Sequence, residues 1–280
     1  NCDLSFSNLC SWRFLYDTQF AVIDDFLVFK FWAGEQLAYM MPVGNGDLKA
    51  VLRKLIEDAD KEKHNFCMLG VCSNMRADLE AILPERFIFT EDRAYADYIY
   101  LRSDLATLKG KKFQAKRNHI NRFRNTYPDY EYTPITPDRI QECLDLEAEW
   151  CKVNNCDQQE GTGNERRALI YALHNFEALG LTGGILHVNG KIVAFTFGMP
   201  INHETFGVHV EKADTSIDGA YAMINYEFAN RIPEQYIYIN REEDLGIEGL
   251  RKAKLSYQPV TILEKYMACL KDHPMDMVRW

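Results

Sequence analysis

Asn240, Arg241, Glu242, Glu243 and Asp244 follow directly on the apolar run of residues 236–239, so five polar side chains stand at the end of a strand-like segment. Ligands in α/β sheets commonly sit at strand C-termini. Arg241 could fix a carboxylate or phosphate bidentately, Asn240 and Asp244 could hold substrate, and Glu242 could move a proton. Lys252, Lys254 and Tyr257 come next, the two lysines within a helical pattern over 249–256. A solvated, salt-bridged loop is the competing reading of the same residues.

A second group lies upstream. Residues 106–128 contain no acidic side chain but hold Lys109, Lys111, Lys112, Lys116, Arg117, Arg122 and Arg124, in a chain of net charge −9. Such a local excess keeps an anion site open. On a wheel of about 100° per residue, Lys116 falls on the apolar arc of Phe113, Ile120, Phe123 and Tyr127. It either extends its stem to water or meets an anionic partner. Arg117 lies at the edge of that arc, while Asn118 and Arg122 turn away as further binding candidates. Alternation over 205–212 places Phe206, Val208 and Val210 on one side and Gly207, His209 and Glu211 on the other, which makes His209 and Glu211 catalytic candidates sharing a face. Gly219, Ala220 and Tyr221 open a helix whose free N–H groups could cradle an anion. A plain turn is the alternative there.

These residues need elements to position them. Strand-like runs at 19–23, 26–32 and 36–41 form a meander. They are followed by a helix over 48–59 with Asp47 as N-cap, a strand at 66–72 and a helix over 75–83 that stops before Pro84. The order then returns. Asn189-Gly190 links strands 184–188 and 191–199 as a hairpin, and after the strand at 205–212 come a helix over 219–231, the strand 236–240 and the helix 249–256. Between the two copies lie a helix over 111–127 and another over 138–153, the latter capped by Thr136 with Pro137 in its first turn. Meander, helix, strand and helix therefore occur twice. The pattern predicts an α+β fold of two tandem domains, each a mixed sheet flanked by helices: 1–105, then a basic connecting helix at 106–130, then 131–280 with the candidate site.

Composition excludes several classes. With 47% hydrophobic and 26% charged residues among 280, the chain is globular. No apolar run reaches the roughly 18 residues of a membrane span, and the net negative charge argues against a DNA-binding surface. The N-terminal residues lack the features of a signal peptide, so a cytoplasmic location is expected. The eight cysteines are expected to be reduced and buried. The pairs Cys67/Cys72 and Cys151/Cys156 have no histidine at ligand spacing, and no metal site is expected. There is no G-x-S-x-G, H-E-x-x-H, Walker A or G-x-G-x-x-G sequence.

Three stretches carry a family resemblance: residues 110–123 (GKKFQAKRNHINRF), 183–198 (GGILHVNGKIVAFTFG) and 238–254 (YINREEDLGIEGLRKAK). Together they resemble the bacterial family named for the C-terminal domain of phosphatidylglycerol lysyltransferases, over nearly the whole chain. That family is similar in fold to the Fem-type aminoacyltransferases, with two GNAT-like domains in tandem. The resemblance implies transfer of an aminoacyl group from aminoacyl-tRNA to a lipid, cell-wall precursor or small-molecule acceptor. The expected location is cytoplasmic, at most peripheral to the inner face of the membrane. An acyl-CoA-dependent N-acyltransferase and a non-catalytic ligand-binding module are the alternatives. For such a transfer, Lys116 and Arg117 are expected to hold phosphate, residues 219–221 to form a second anion cradle, and Glu211, His209 or Glu242 to assist the proton.

Overall fold

The computed structural model describes residues 1–154 and 160–271. Two short helices, α1 (Phe6–Ser11) and α2 (Arg13–Tyr16), precede the meander β1 (Gln19–Ile23), β2 (Phe26–Ala33), β3 (Gln36–Tyr39) and β4 (Val43–Gly44). Asp24 and Asp25 both take positive φ, the backbone that a two-residue hairpin between twisted strands requires. Helix α3 (Leu48–Lys61) starts where the Asp47 side chain accepts from the Ala50 N–H, and it buries Val51, Leu52, Leu55, Ile56 and Ala59 along one stripe. Strand β5 (Cys67–Val71), α4 (Ser73–Ile82) and β6 (Phe87–Glu91) complete the first series.

The chain continues through β7 (Asp97–Leu101), α5 (Arg102–Thr107), α6 (Gln114–Thr126), β8 (Glu131–Pro134), α7 (Ile140–Asn154) and α8 (Glu160–His174). Short 3-10 turns at Lys111–Phe113 and Pro137–Arg139 occupy what the helical pattern gave to the first residues of α6 and α7. The second series is β9 (Thr182–Val188), β10 (Lys191–Pro200), β11 (Thr205–Ala213), α9 (Ala220–Ala229), β12 (Tyr238–Asn240), α10 (Glu248–Leu255) and β13 (Thr261–Leu263). A last strand, β14 (Tyr266–Leu270), follows.

Two mixed sheets flanked by helices result, which is the expected α+β architecture. The first runs β1-β2-β3-β5-β14-β6 with β4 paired to β2, and the second runs β13-β7-β12-β11-β10-β9-β8. The doubled order survives with one addition that crosses both expected boundaries. Strand β7, within the first expected domain of residues 1–105, lies between β12 and β13 of the second sheet. Strand β14, from the end of the chain, lies between β5 and β6 of the first. Each sheet is therefore completed by a strand that follows the other in sequence.

The exchanged β14 is also bonded covalently. Cys269 pairs in register with Cys67 of β5, and the two form a disulfide across 202 residues. The expectation of reduced thiols is corrected here: strand pairing, invisible in the spacing, brings the Cα atoms to 4.1 Å. Cys67 does not pair with Cys72, which is free, as are Cys2, Cys10 and Cys143. Cys151 is disulfide-bonded as well, and Cys156 lies outside the described residues. One core fills the first sheet under α3 and α4. Two cores cover the second sheet, one under α5, α6 and α9 and one on the opposite face under α7 and α8. No helix among the described residues is long and apolar enough to cross a membrane.

Candidate functional site

The site begins with an irregularity in β11. Opposite Phe197 and Gly198 of β10 the register jumps from Val210 to Val208, leaving His209 as an extra residue in a β-bulge. The bulge breaks the alternation. Phe206 and Val208 enter the core under α6 and α9, whereas Val210 packs against the core of the other face. Glu211 is thereby returned to the α9 side, where Asn225 meets it. The expectation that His209 and Glu211 share a face is corrected by this one inserted residue.

Strands β11 and β12 pair in parallel only from Thr205–Tyr238 to Gly207–Asn240 and then part. Just beyond the last pair stand Glu211 and Arg241. Arg241 Nη2 donates to Glu211 Oε1 at 3.0 Å, and Asn225 Nδ2 donates to Glu211 Oε2 at 3.1 Å. The guanidinium carbon lies 4.8 Å from the Tyr257 ring centroid and 5.6 Å from that of Tyr100. Lys116 Nζ stands 4.0 Å from the same Tyr257 ring. Burial, with Arg241 beside it, lowers the Lys116 pKa to about 8 against the pull of Glu211. Burial also raises both phenols, Tyr100 and Tyr257, and keeps them protonated.

Two polar atoms of this group are buried without a partner: Arg241 Nη1, a donor, and Asn225 Oδ1, an acceptor. Turning the Asn225 amide over would set its oxygen against the Glu211 carboxylate, so the orientation with Oδ1 unpartnered is the favoured one. A buried polar atom left unmatched costs about 1–3 kcal/mol. A ligand carrying both a carbonyl oxygen and an N–H would satisfy both.

The five residues after β12 fan out to five environments. Asn240 is fully buried, its Nδ2 on Asp97 and its Oδ1 accepting the Glu242 N–H. Arg241 reaches Glu211. Glu242, at φ +57°, accepts from Asn8 at 2.8 Å and meets His209 Nδ1 at 2.7 Å on the same oxygen. Glu243 meets Lys265. Asp244 is clasped by Arg251 at 2.7 and 2.9 Å, by the Tyr98 hydroxyl at 2.6 Å, by Arg93 and by the Gly246 N–H, with Arg251 foremost in holding its carboxyl well below the usual range. Lys254 Nζ donates to the backbone oxygens of Arg241 and Glu243, fixing the strained turn. Burial, then Arg241, brings its own pKa to about 8.

The family description "Phosphatidylglycerol lysyltransferase, C-terminal" matches residues 1–269. The chain belongs to that family. An uncharacterised protein of Mycoplasmoides gallisepticum is 25% identical over 177 residues, covering 61% of this chain. The chain spans 55% of that relative's length. Among solved structures, the C-terminal domain of a protein described as a lysylphosphatidylglycerol synthetase of Agrobacterium fabrum superimposes with a TM-score of 0.70 at 13% identity, over 94% of this chain and 86% of that one. The structure of L-PGS from Bacillus licheniformis gives 0.66 at 18% identity, over 96% and 88%. At these identities the likeness shows the fold alone.

Within this family member, the remaining predicted residues stand apart from Arg241. Arg117 donates to the Leu108 and Gly110 carbonyls and to Gln114, which ties its guanidinium to the chain's own backbone. Asn118 is exposed and accepts from Gln114. Arg122 pairs with Asp218 at 2.5 Å and fastens the loop before α9. Gly219, at φ +84°, lets that loop approach α6: a Cβ there would stand 2.8 Å from the His119 carbonyl oxygen. Ala220 is buried, its N–H donating to the Ile217 oxygen, while the Tyr221 hydroxyl accepts from Trp150. Lys252 is exposed.

Tyr100 and Asn225 were not among the sequence candidates. Asn225 carried a signal: it is a carboxamide inside AYAMINYEFA, the most apolar of the longer helices among the described residues, and a buried amide must find partners. Tyr100 carried none, because its place depends on the exchange of β7.

Cys2, Asp3, Asp97 and Glu243 set one potential metal-ligand atom each within 4.8 Å of one another. Lys265 Nζ already stands in their midst, 2.9 Å from Asp3 and 2.9 Å from Asp97, and bonded to Glu243. Burial pushes Glu243 up to about 8 despite this ammonium. The group ties the start of β14 to β7 and to the turn that carries Arg241.

Proposed function

We propose that this chain transfers an acyl or aminoacyl group from an activated carrier to an amine or hydroxyl acceptor, with Arg241, Glu211, Asn225 and Lys116 as the working group. The observation carrying this reading is the buried donor Arg241 Nη1 and the buried acceptor Asn225 Oδ1, both unmatched and both belonging to side chains held on Glu211. An aminoacyl ester offers a carbonyl oxygen to the first and an amine N–H to the second. In the transition state the same Nη1 would face a developing oxyanion, where a preorganised donor contributes most. Lys116, brought to about 8, is a suitable acceptor for the proton of an attacking amine or hydroxyl, and as the ammonium it can return that proton to the carrier oxygen or sulfur as its bond to the acyl carbon breaks. His209 and Glu242 hold each other and orient the turn behind Arg241.

Membership of the family favours aminoacyl-tRNA as the donor and a lipid, cell-wall precursor or small molecule as the acceptor. A GNAT-like fold keeps acyl-CoA as a second donor class. The two separate in one experiment: the protein is incubated with isotopically labelled aminoacyl-tRNA or with acyl-CoA, each with amine and phospholipid acceptors, and products are read by mass spectrometry. Label in an acceptor from the tRNA arm is the expected result. Label from the CoA arm alone reassigns the donor. No label from either, with ligand binding intact, returns the fold to a binding module.

A further inference from the structure

On the face of the second sheet opposite Lys116 and Arg241, α1 and α2 lie against α8, with Cys10 of α1 joining the core beneath. Between them is a cleft of about 360 Å³, near the lower end of the roughly 300–1,000 Å³ typical of ligand pockets. Arg13, Phe14, Arg167, Tyr171, His174 and Asn175 line it, and no carboxylate among the described residues does.

The two arginines stand apart from the ion-paired ones, a property they share with Arg76, which also lies over aromatic rings. Arg93, Arg122, Arg139, Arg166, Arg231, Arg241 and Arg251 each face an Asp or Glu. Arg13 and Arg167 have no acidic partner among the described residues, in a chain whose net charge is −9. Their contacts are aromatic: the Arg167 guanidinium carbon lies 4.0 Å from the Phe14 ring centroid, and that of Arg13 lies 5.9 Å from Tyr171. Cation–π contact steadies a guanidinium without engaging its N–H donors, and such donors suit the oxygens of a phosphate. The remaining wall is apolar at Ile170 and Tyr171. At one side Asn175 has its Nδ2 fixed on the Tyr171 carbonyl oxygen at 2.8 Å, leaving Oδ1 as an acceptor.

We propose that this cleft binds a nucleoside phosphate, with the phosphate on Arg13 and Arg167, the base along Ile170 and Tyr171, and a base N–H on Asn175 Oδ1. The same chemistry is offered by a free nucleotide and by the terminal nucleotide of an RNA. The site is independent of the transfer site on the other face.

The test is calorimetric titration of the whole chain with AMP, adenosine, inorganic phosphate and a short 5′-phosphorylated RNA. AMP should bind saturably, at least tenfold tighter than adenosine or phosphate, and more weakly as salt rises. The Arg13→Ala/Arg167→Ala pair should weaken AMP at least tenfold with Tm unchanged, while Arg241→Ala should leave it as in the parent. If the alanine pair does not fold, Arg167→Glu alone should give the same loss. Competition by RNA at lower concentration than AMP would make an RNA end the ligand, and failure of RNA to compete would make it the free nucleotide. The proposal is overturned by the absence of saturable binding of AMP and RNA at millimolar concentration, by equal binding of AMP and adenosine or phosphate, or by unchanged affinity in the arginine variants.

Discussion

The junctions β3–β5 and β11–β12 occupy the same place in the two sheets, each the point where a meander meets its parallel strand. In the first, Tyr39 pairs with Met68 and is almost wholly buried, and its hydroxyl donates at 2.8 Å to Asp58, which Lys30 also reaches at 2.8 Å. Leu37, Met68 and the Cys67–Cys269 bond fill the surroundings. In the second, Arg241 and Asn225 each keep one buried polar atom unmatched beside Glu211. One topology thus serves two ends. The first junction is completed as core, and the second retains unsatisfied hydrogen-bonding capacity, which a ligand or an ordered water could meet.

The contrast can be tested by disturbing each junction in turn. Arg241→Ala should lower the transfer rate by about 10²–10³, the usual loss when one oxyanion donor is removed. Lys30→Ala, at the matching place in the first sheet, should leave the rate unchanged and cost no more than about 1 kcal/mol in a denaturant titration. Equal loss in both variants would dissolve the distinction. Cys269→Ser should reverse the pattern, lowering unfolding stability by about 2–4 kcal/mol because the bond closes a long loop, with the transfer rate retained.

The smallest effect is in pH dependence. Lys116 has a folded pKa of about 8, below its ordinary value, so from pH 8 to about 10.4 the unfolded chain binds more protons and stability rises with pH. Below pH 8 the buried ammonium destabilises fully. Lys116→Met should therefore raise Tm at pH 7, and that advantage should shrink toward pH 10.4. The parent's transfer rate should climb through pH 8 as the amine becomes neutral. A rate flat from pH 6 to 9 would remove Lys116 from proton transfer.

Much of the scaffold was legible because it rests on local pattern. Asp47 caps α3 as expected, Asn189-Gly190 turns the hairpin, and Lys116 does lie beside the apolar face that carries Phe113, Ile120 and Phe123. Helix α8 and strand β14 were missed, since neither belongs to the meander-helix-strand repeat that organised the reading. The run Asn240–Asp244 is legible as a dense polar segment, but only Arg241 of the five turns to the Glu211 group. A strained turn with Glu242 at positive φ sends its neighbours elsewhere.

By itself, the sequence determined the doubled order of elements, the side of α6 on which Lys116 stands and the position of Arg241 at a strand end. Each of these follows from periodicity within a single element, which nearby residues set. Tertiary structure decided the reciprocal exchange of β7 and β14, the Cys67–Cys269 bond, the bulge that parts His209 from Glu211 and the arrival of Tyr100 beside Arg241. All four depend on which strand lies alongside, and strand partners here come from residues as far as 202 positions away. A pairing at that range leaves no trace in local spacing.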